Sequence, residues 1–189
     1  DMAGGQEGVR QAPARPKGTL RLCVPETGGK VVILHFLRHI MQEWPELDIE
    51  VDFTGRLVDL VEEGFDLAIR VGSGGKDSQL ITRVIQRICA KLYASPTYLE
   101  HAGVPQKIDD LARHQRLIYG PGTASSEWEL VSASGQRVCV SGHSRIRCDS
   151  GEAIRAAAVE GLGIAWLPSF LVEADVRDAR LVPLLTEYG

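Results

Sequence analysis

Long apolar runs are missing from this chain of 189 residues: the longest, residues 161–172, is interrupted by Pro168 and falls short of the roughly 20 apolar residues a membrane helix needs. No membrane partner is expected. The opening at Asp1 has neither a basic start nor an apolar core, so no secretory signal is read there. An excess of positive charge is missing too. With 21 Lys and Arg against 25 Asp and Glu, the net charge of −4 argues against a broad basic surface for nucleic acid. Cys23, Cys89, Cys139 and Cys148 lie in apolar or strand-like runs with no C-x-x-C pair and no His at metal spacing, and neither Cys139 nor Cys148 has a Lys or His beside it at a helix start. They read as small buried thiols in a reducing compartment. The chain also lacks a G-x-S-x-G elbow, an H-E-x-x-H pair, a P-loop and a G-x-G-x-x-G fingerprint. No metal site, no cofactor and no catalysis are expected.

What is present is the balance of an ordinary globular protein, 44% hydrophobic and 24% charged. Residues 1–18, rich in Gly, Pro, Ala and charge without periodicity, read as a linker or tail. The most informative stretch is 47–72. Leu47, Ile49, Val51 and Phe53 alternate with Asp48, Glu50 and Asp52, the pattern of a strand with one wet face. Leu57, Leu60 and Val61 then shift to helical spacing, Gly64 supplies a left-handed helix end, and residues 66–71 are apolar enough for a buried strand. A strand, short helix and strand of this length predict two parallel neighbours, with ligands beyond the carboxyl ends of the strands. Arg70 meets Gly72 at one such end.

Upstream, residues 19–24 predict a strand ending at Pro25, followed by a helix with Ile33, Leu37, Ile40, Met41 and Trp44 on one face. Thr27 is the expected N-cap of that helix, and Gly28 and Gly29 leave backbone N–H groups exposed at its positive end, a ready anion site. Glu26 beside them disfavours a highly charged ligand. His35 and His39 stand one turn apart, and in the absence of a third ligand they read as surface or partner-facing groups. Residues 80–95 alternate as one long strand, longer than usual, which predicts a crossover between two lobes. Ser95 and Pro96 start a short helix, residues 117–120 predict a strand ending in glycine, and 128–136 and 138–148 predict strands around a Ser-Gly turn. Asp149 or Ser150 caps a second helix that Gly161 ends, and 163–167 is the next strand. Its free N–H groups at Asp149, Ser150 and Gly151 are placed to face those near Thr27. Residues 170–175 look helical, and 181–185 form a last edge strand.

Over residues 18–185 the chain resembles the effector-binding domain of LysR-type bacterial transcription regulators. The resemblance rests on VPETG at 24–28, WPEL at 44–47, LVDLVEEGFDLAIRVG at 57–72, ASPTYL at 94–99, DSGEA at 149–153 and GLGIA at 161–165, in that order. It implies an α/β fold of two Rossmann-like lobes joined by two crossover strands, as in periplasmic binding proteins. The crossovers would be 83–94 and 163–168. Residues 19–88 plus 167–189 would form the first lobe and 89–166 the second.

A small-molecule effector, often an organic acid in this family, would lie between the lobes. Its first wall would be Pro25, Glu26, Thr27, Gly28 and Gly29 with Arg70, Val71 and Gly72; its second would be Tyr119, Gly120, Asp149, Ser150 and Gly151. The resemblance further implies a cytoplasmic homodimer or tetramer, with the 30–44 helix, and so His35 and His39, at a subunit contact. DNA would be met only through a helix-turn-helix domain that this sequence does not contain. Glu26 replaces a usually small residue, and the chain stops where relatives generally add a strand and a closing helix. Two other readings are a stand-alone periplasmic solute-binding protein, which requires a signal peptide upstream, and an enzyme, which a turnover assay on any bound ligand tests.

Overall fold

The computed structural model describes residues 15–54, 56, 58–70, 80–85, 87–120, 126–142 and 144–189. The first lobe is a parallel sheet of β1 (Gly18–Val24), β2 (Leu47–Phe53) and β3 (Leu67–Ala68), with α1 (Glu26–Glu43) packed on it. β1 lies between the other two, with Gly18 opposite Leu47 and Val24 opposite Phe53 on one side and Leu22 opposite Leu67 on the other. Its core is small: Leu22, Val24 and Ile33 are buried, with Leu37, Ile49, Val51 and Ile69 packed against them.

Two expectations about this lobe are corrected. The strands flanking the 54–66 connection are parallel but not neighbours, because β1 lies between them. The expected helix shrinks to a single turn. Asp59 accepts the N–H groups of Val61 and Glu62, Phe65 N–H reaches Leu60 O at 2.8 Å and Gly64 N–H reaches Val61 O at 3.3 Å. That pair of bonds, with Gly64 at φ +69°, is the helix-terminating arrangement expected of a left-handed glycine, and it closes the turn at once. The long strand expected over 80–95 is also shorter: only β4 (Ala90–Ala94) pairs. Residues 80–85 and 87–89 form no strand, and Ile81 is 94% exposed. Apolar residues on both parities need a partner surface on each face, and here Ile81, Val84 and Ile85 stay mostly exposed.

The second lobe is a mixed sheet ordered β10-β4-β9-β5-β8. Its strands are β4, β5 (Arg116–Tyr119), β8 (Ile146–Cys148), β9 (Ile164–Pro168) and β10 (Val182–Leu184); the hairpin β6 (Trp128–Val131) and β7 (Arg137–Val140) stands apart as its own pair. α2 (Pro96–Ala102) begins as expected, with Ser95 Oγ accepting Tyr98 N–H at 3.2 Å and proline in the first turn. α3 (Gly151–Val159) and α4 (Ser169–Arg177) cover one face of the sheet. The strand alternation sorts the core. Leu92, Ala94, Ile118 and Ile164 face Leu111, Trp128 and Leu130, whereas Tyr93, Leu117, Ala165 and Leu167 face Ile154, Ala158 and Val172.

The expected boundary at 166/167 is where the structure departs most from the sequence reading. β9 sits in the middle of this sheet, pairing with β4 on one side and β5 on the other, so it is not a crossover. α4 and β10 follow it into the same lobe: β10 pairs antiparallel with β4, and Val172, Leu181, Leu184 and Leu185 join the second-lobe core. A run as apolar as Ile164–Leu167 is stable only when both faces are covered. Asp175, almost fully buried, ties this unit together through Arg155 at 2.7 Å and Arg180 at 2.8 Å.

Candidate functional site

The chain places two helix starts against each other. After β1, Pro25 is extended, Thr27 leaves helical geometry at ψ 116° and Gly28 turns left-handed at φ 78°. Gly29 N–H returns to Pro25 O at 3.1 Å, and the regular helix runs on from there. The hydroxyl of Thr27, 5% exposed, does not cap its own helix as expected. Instead Thr27 Oγ1 accepts the N–H of Gly151, the first residue of α3, at 2.9 Å across the lobe boundary. Ser150 Oγ caps α3 from within by accepting Ala153 N–H at 3.3 Å. Thr27 therefore satisfies a donor of the other lobe's helix.

The approach is as close as two glycines permit. A methyl carbon placed on Gly151 would lie 2.5 Å from Thr27 Cγ2, and one on Gly28 would lie 2.5 Å from Phe170 Cζ. Phe170, at the start of α4, is thus the second residue pressed across the boundary. Sequence reading missed it. The only local signal was an aromatic just after a strand end, and the contact depends on where α4 lies.

The remaining expected residues divide. Tyr119 and Gly120 close β5 beside the end of β8: Tyr119 is opposite Cys148, and Gly120 N–H bonds Cys148 O at 2.9 Å. Ser150 N–H then meets Cys148 Sγ at 3.4 Å, so Tyr119, Gly120, Asp149, Ser150 and Gly151 share the carboxyl end of two parallel strands. Glu26 and Asp149 are exposed at the rim. Arg70 follows β3 at the corresponding end of the first sheet, but its guanidinium donates to Arg56 O at 2.8 Å and Val58 O at 3.4 Å, bracing the 56–58 connection. Val71 and Gly72 lie outside the described residues.

Of the other groups singled out, Cys23 is buried, and burial foremost pushes its thiol up; Glu127 pushes Cys139 up by hydrogen bonding to it. Neither is an activated thiol. His35 is exposed, and exposed His39 pairs with Glu43 at 3.1 Å. Among the described residues no group of three His, Cys, Asp or Glu could hold a metal ion, and no helix is long and apolar enough to cross a membrane. Two surface recesses are formed nearby and on the first lobe. One, of about 260 Å³, is lined by Arg21, Val51, Phe53 and Phe65, and the other, of about 390 Å³, by Lys91, Tyr93, Phe170 and Glu173; neither is lined by Thr27 or Gly151.

Comparison with known proteins agrees with this architecture. An uncharacterized HTH-type transcriptional regulator of Haemophilus influenzae is 35% identical over 188 residues, covering all of this chain and 65% of that protein. The HTH-type transcriptional regulator PgrR of Escherichia coli is 30% identical, covering 92% of this chain and 58% of that one. The chain thus spans about 60% of the length of these relatives. The regulatory domain of AphB in Vibrio vulnificus superposes with a TM-score of 0.75 at 28% identity, covering 90% of this chain and 85% of that one. The CrgA regulatory domain, from a LysR-type regulator of Neisseria meningitidis, does so with a TM-score of 0.73 at 29% identity, covering 91% and 83%. The family described as the LysR substrate binding domain matches residues 13–188, so the chain belongs to that family and has its two-lobed, periplasmic-binding-protein-like α/β fold.

Proposed function

We propose that this chain is the sensing part of a transcription regulator, taking a small organic acid between its lobes where α1 meets α3. The observation that carries the reading is the Gly151 N–H, which the fold aims from a helix start at a polar atom of the opposite lobe. A carboxylate oxygen is the chemical equivalent of that atom with a full charge, and the positive end of α3 favours it. Glu26 and Asp149 at the rim favour a monoanion over a polyanion. Binding changes the angle between the lobes and hence the packing of subunits in a homodimer or tetramer. A helix-turn-helix part of the same polypeptide, acting in the cytoplasm, then binds DNA differently.

A thermal-shift screen of the chain against small carboxylates, aromatic acids, amino acids and sugars tests this. Ligand at a hundred times its dissociation constant adds about 2.7 kcal/mol, a shift of several degrees. A hit whose affinity changes with Gly151→Ala but not with Glu50→Ala, which alters only the first-lobe recess beside Arg21 and Phe65, supports the reading. Hits indifferent to Gly151→Ala, or a ligand that leaves DNA affinity of the full-length protein unchanged, sink it.

A further inference from the structure

The place where the lobes meet is already filled. Gly151 N–H is taken by Thr27 Oγ1 at 2.9 Å, and Ala153 N–H is taken by Ser150 Oγ. Even a methyl carbon on Gly151 would fall 2.5 Å from Thr27 Cγ2 and 2.6 Å from Thr27 Oγ1, whereas non-bonded carbons need about 3.5–4.0 Å. The Gly28 contact with Phe170 is equally tight, with a methyl carbon 2.5 Å from Cζ and 2.8 Å from Cε2. A ligand atom cannot reach the Gly151 N–H while these contacts stand.

We propose that Thr27 is a built-in competitor of the ligand, a latch that holds α1 against α3, and that the ligand acts as a wedge. This rests on the sensing reading above and gives it a direction. A carboxylate replaces Thr27 Oγ1 at the Gly151 N–H, and its carbon frame pushes α1 away from α3 and Phe170. Binding therefore opens the lobes rather than drawing them together. Because α3 and α4 are tied through Asp175 to Arg155 and Arg180, the second lobe moves as one piece. Breaking the latch is part of every binding event, so it weakens apparent affinity by the fraction of time the latch is open, about fivefold for one ordinary hydrogen bond.

The test compares the 189-residue chain with Thr27→Val, which keeps the shape and loses the acceptor, and Thr27→Ser, which keeps the acceptor. Without ligand, the Gly151 amide should exchange about fivefold faster in Thr27→Val than in the unsubstituted chain or Thr27→Ser. Amides inside α3 should be unchanged, which excludes general unfolding. The radius of gyration by small-angle scattering should rise in Thr27→Val. With benzoate as the carboxylate probe, the unsubstituted chain should expand, and Thr27→Val should bind about fivefold tighter than Thr27→Ser. A Gly151 amide equally protected in all three, benzoate that contracts the chain, or weaker benzoate binding by Thr27→Val overturns the proposal. The exchange measurement needs no ligand. If no screened compound binds, yet Thr27→Val deprotects Gly151 and expands the chain, the latch stands and only the sensing reading falls.

Discussion

Arg116 is 0% exposed at the start of β5, and its replacement gives the sharpest check on how the second lobe is held. Its guanidinium donates to Ser126 O at 3.0 Å, to Val140 O at 2.9 Å and to Gly142 O, and it lies over the Trp128 ring at 5.2 Å. These carbonyls belong to the β6–β7 hairpin and its flanks, so one side chain fastens the hairpin to the main sheet. Burial, the largest influence, lowers the Arg116 pKa, and Glu127 partly offsets it, so the charge is desolvated at a cost. Arg116→Met fills similar volume but strands the Val140 and Gly142 carbonyls, about 1–3 kcal/mol each if they stay dry, less the desolvation that the charge no longer bears. The expected net loss is about 2–4 kcal/mol, lowering the melting temperature by roughly 5–15 °C for a chain of this size. Arg116→Lys keeps the charge but not the fork or the stacking, and should fall between. Urea unfolding followed by fluorescence measures the loss, and faster amide exchange confined to β6 and β7 locates it. An Arg116→Met chain as stable as the original would mean that desolvation cancels all three bonds, and the hairpin would then be held by Trp128, Leu130 and Val140 with the backbone bonds of Val131 and Ala133 to Gly189 and Glu187.

Two further outcomes follow from the geometry. His114 is buried, with Nδ1 3.0 Å from Tyr98 Oη, which also accepts Gln115 N–H at 2.9 Å. Burial, the main cause, holds its pKa below the ordinary 6.5, opposed by Asp110 and aided by Arg113. The unfolded chain therefore takes up the proton first. The contribution of neutral His114 is fully present above pH 6.5 and is lost as pH falls from there through the lower folded value. His114→Gln should flatten that part of a melting-temperature profile against pH; superimposable slopes would refute the assignment. Gly28→Ala meets both a positive φ of 78° and Phe170 Cζ at 2.5 Å, and should lose about 1–3 kcal/mol. Phe170→Ala in the same chain should recover the steric part but not the backbone part, so additive losses in a double-mutant cycle would show that the two residues do not touch.

The local chemistry of the site was legible because it rests on residues with few alternative uses. A threonine and two glycines after a strand, and Asp-Ser-Gly before a helix, announce helix starts wherever the chain folds, and α/β topology puts such starts at one end of the sheets. What could not be read was which group satisfies which. Thr27 has the right side chain to cap α1, and only the position of the other lobe turns it to Gly151. Phe170 is one more apolar residue in an amphipathic helix until α4 is laid beside Gly28. The misplaced boundary has the same origin. Residues 163–185 read as strand, helix and strand, a unit that either lobe accommodates, and the choice is made where β9 and β10 pair with β4, a strand outside the unit. Period and capping are properties of a segment, whereas strand order and lobe contact are properties of pairs of segments distant in sequence. The two tightest contacts at this site, Thr27 with Gly151 and Gly28 with Phe170, are both of the second kind. Substitutions at Thr27 or Phe170 are therefore expected to act first through the angle between the lobes, whereas Gly28→Ala adds a backbone cost of its own at φ 78°.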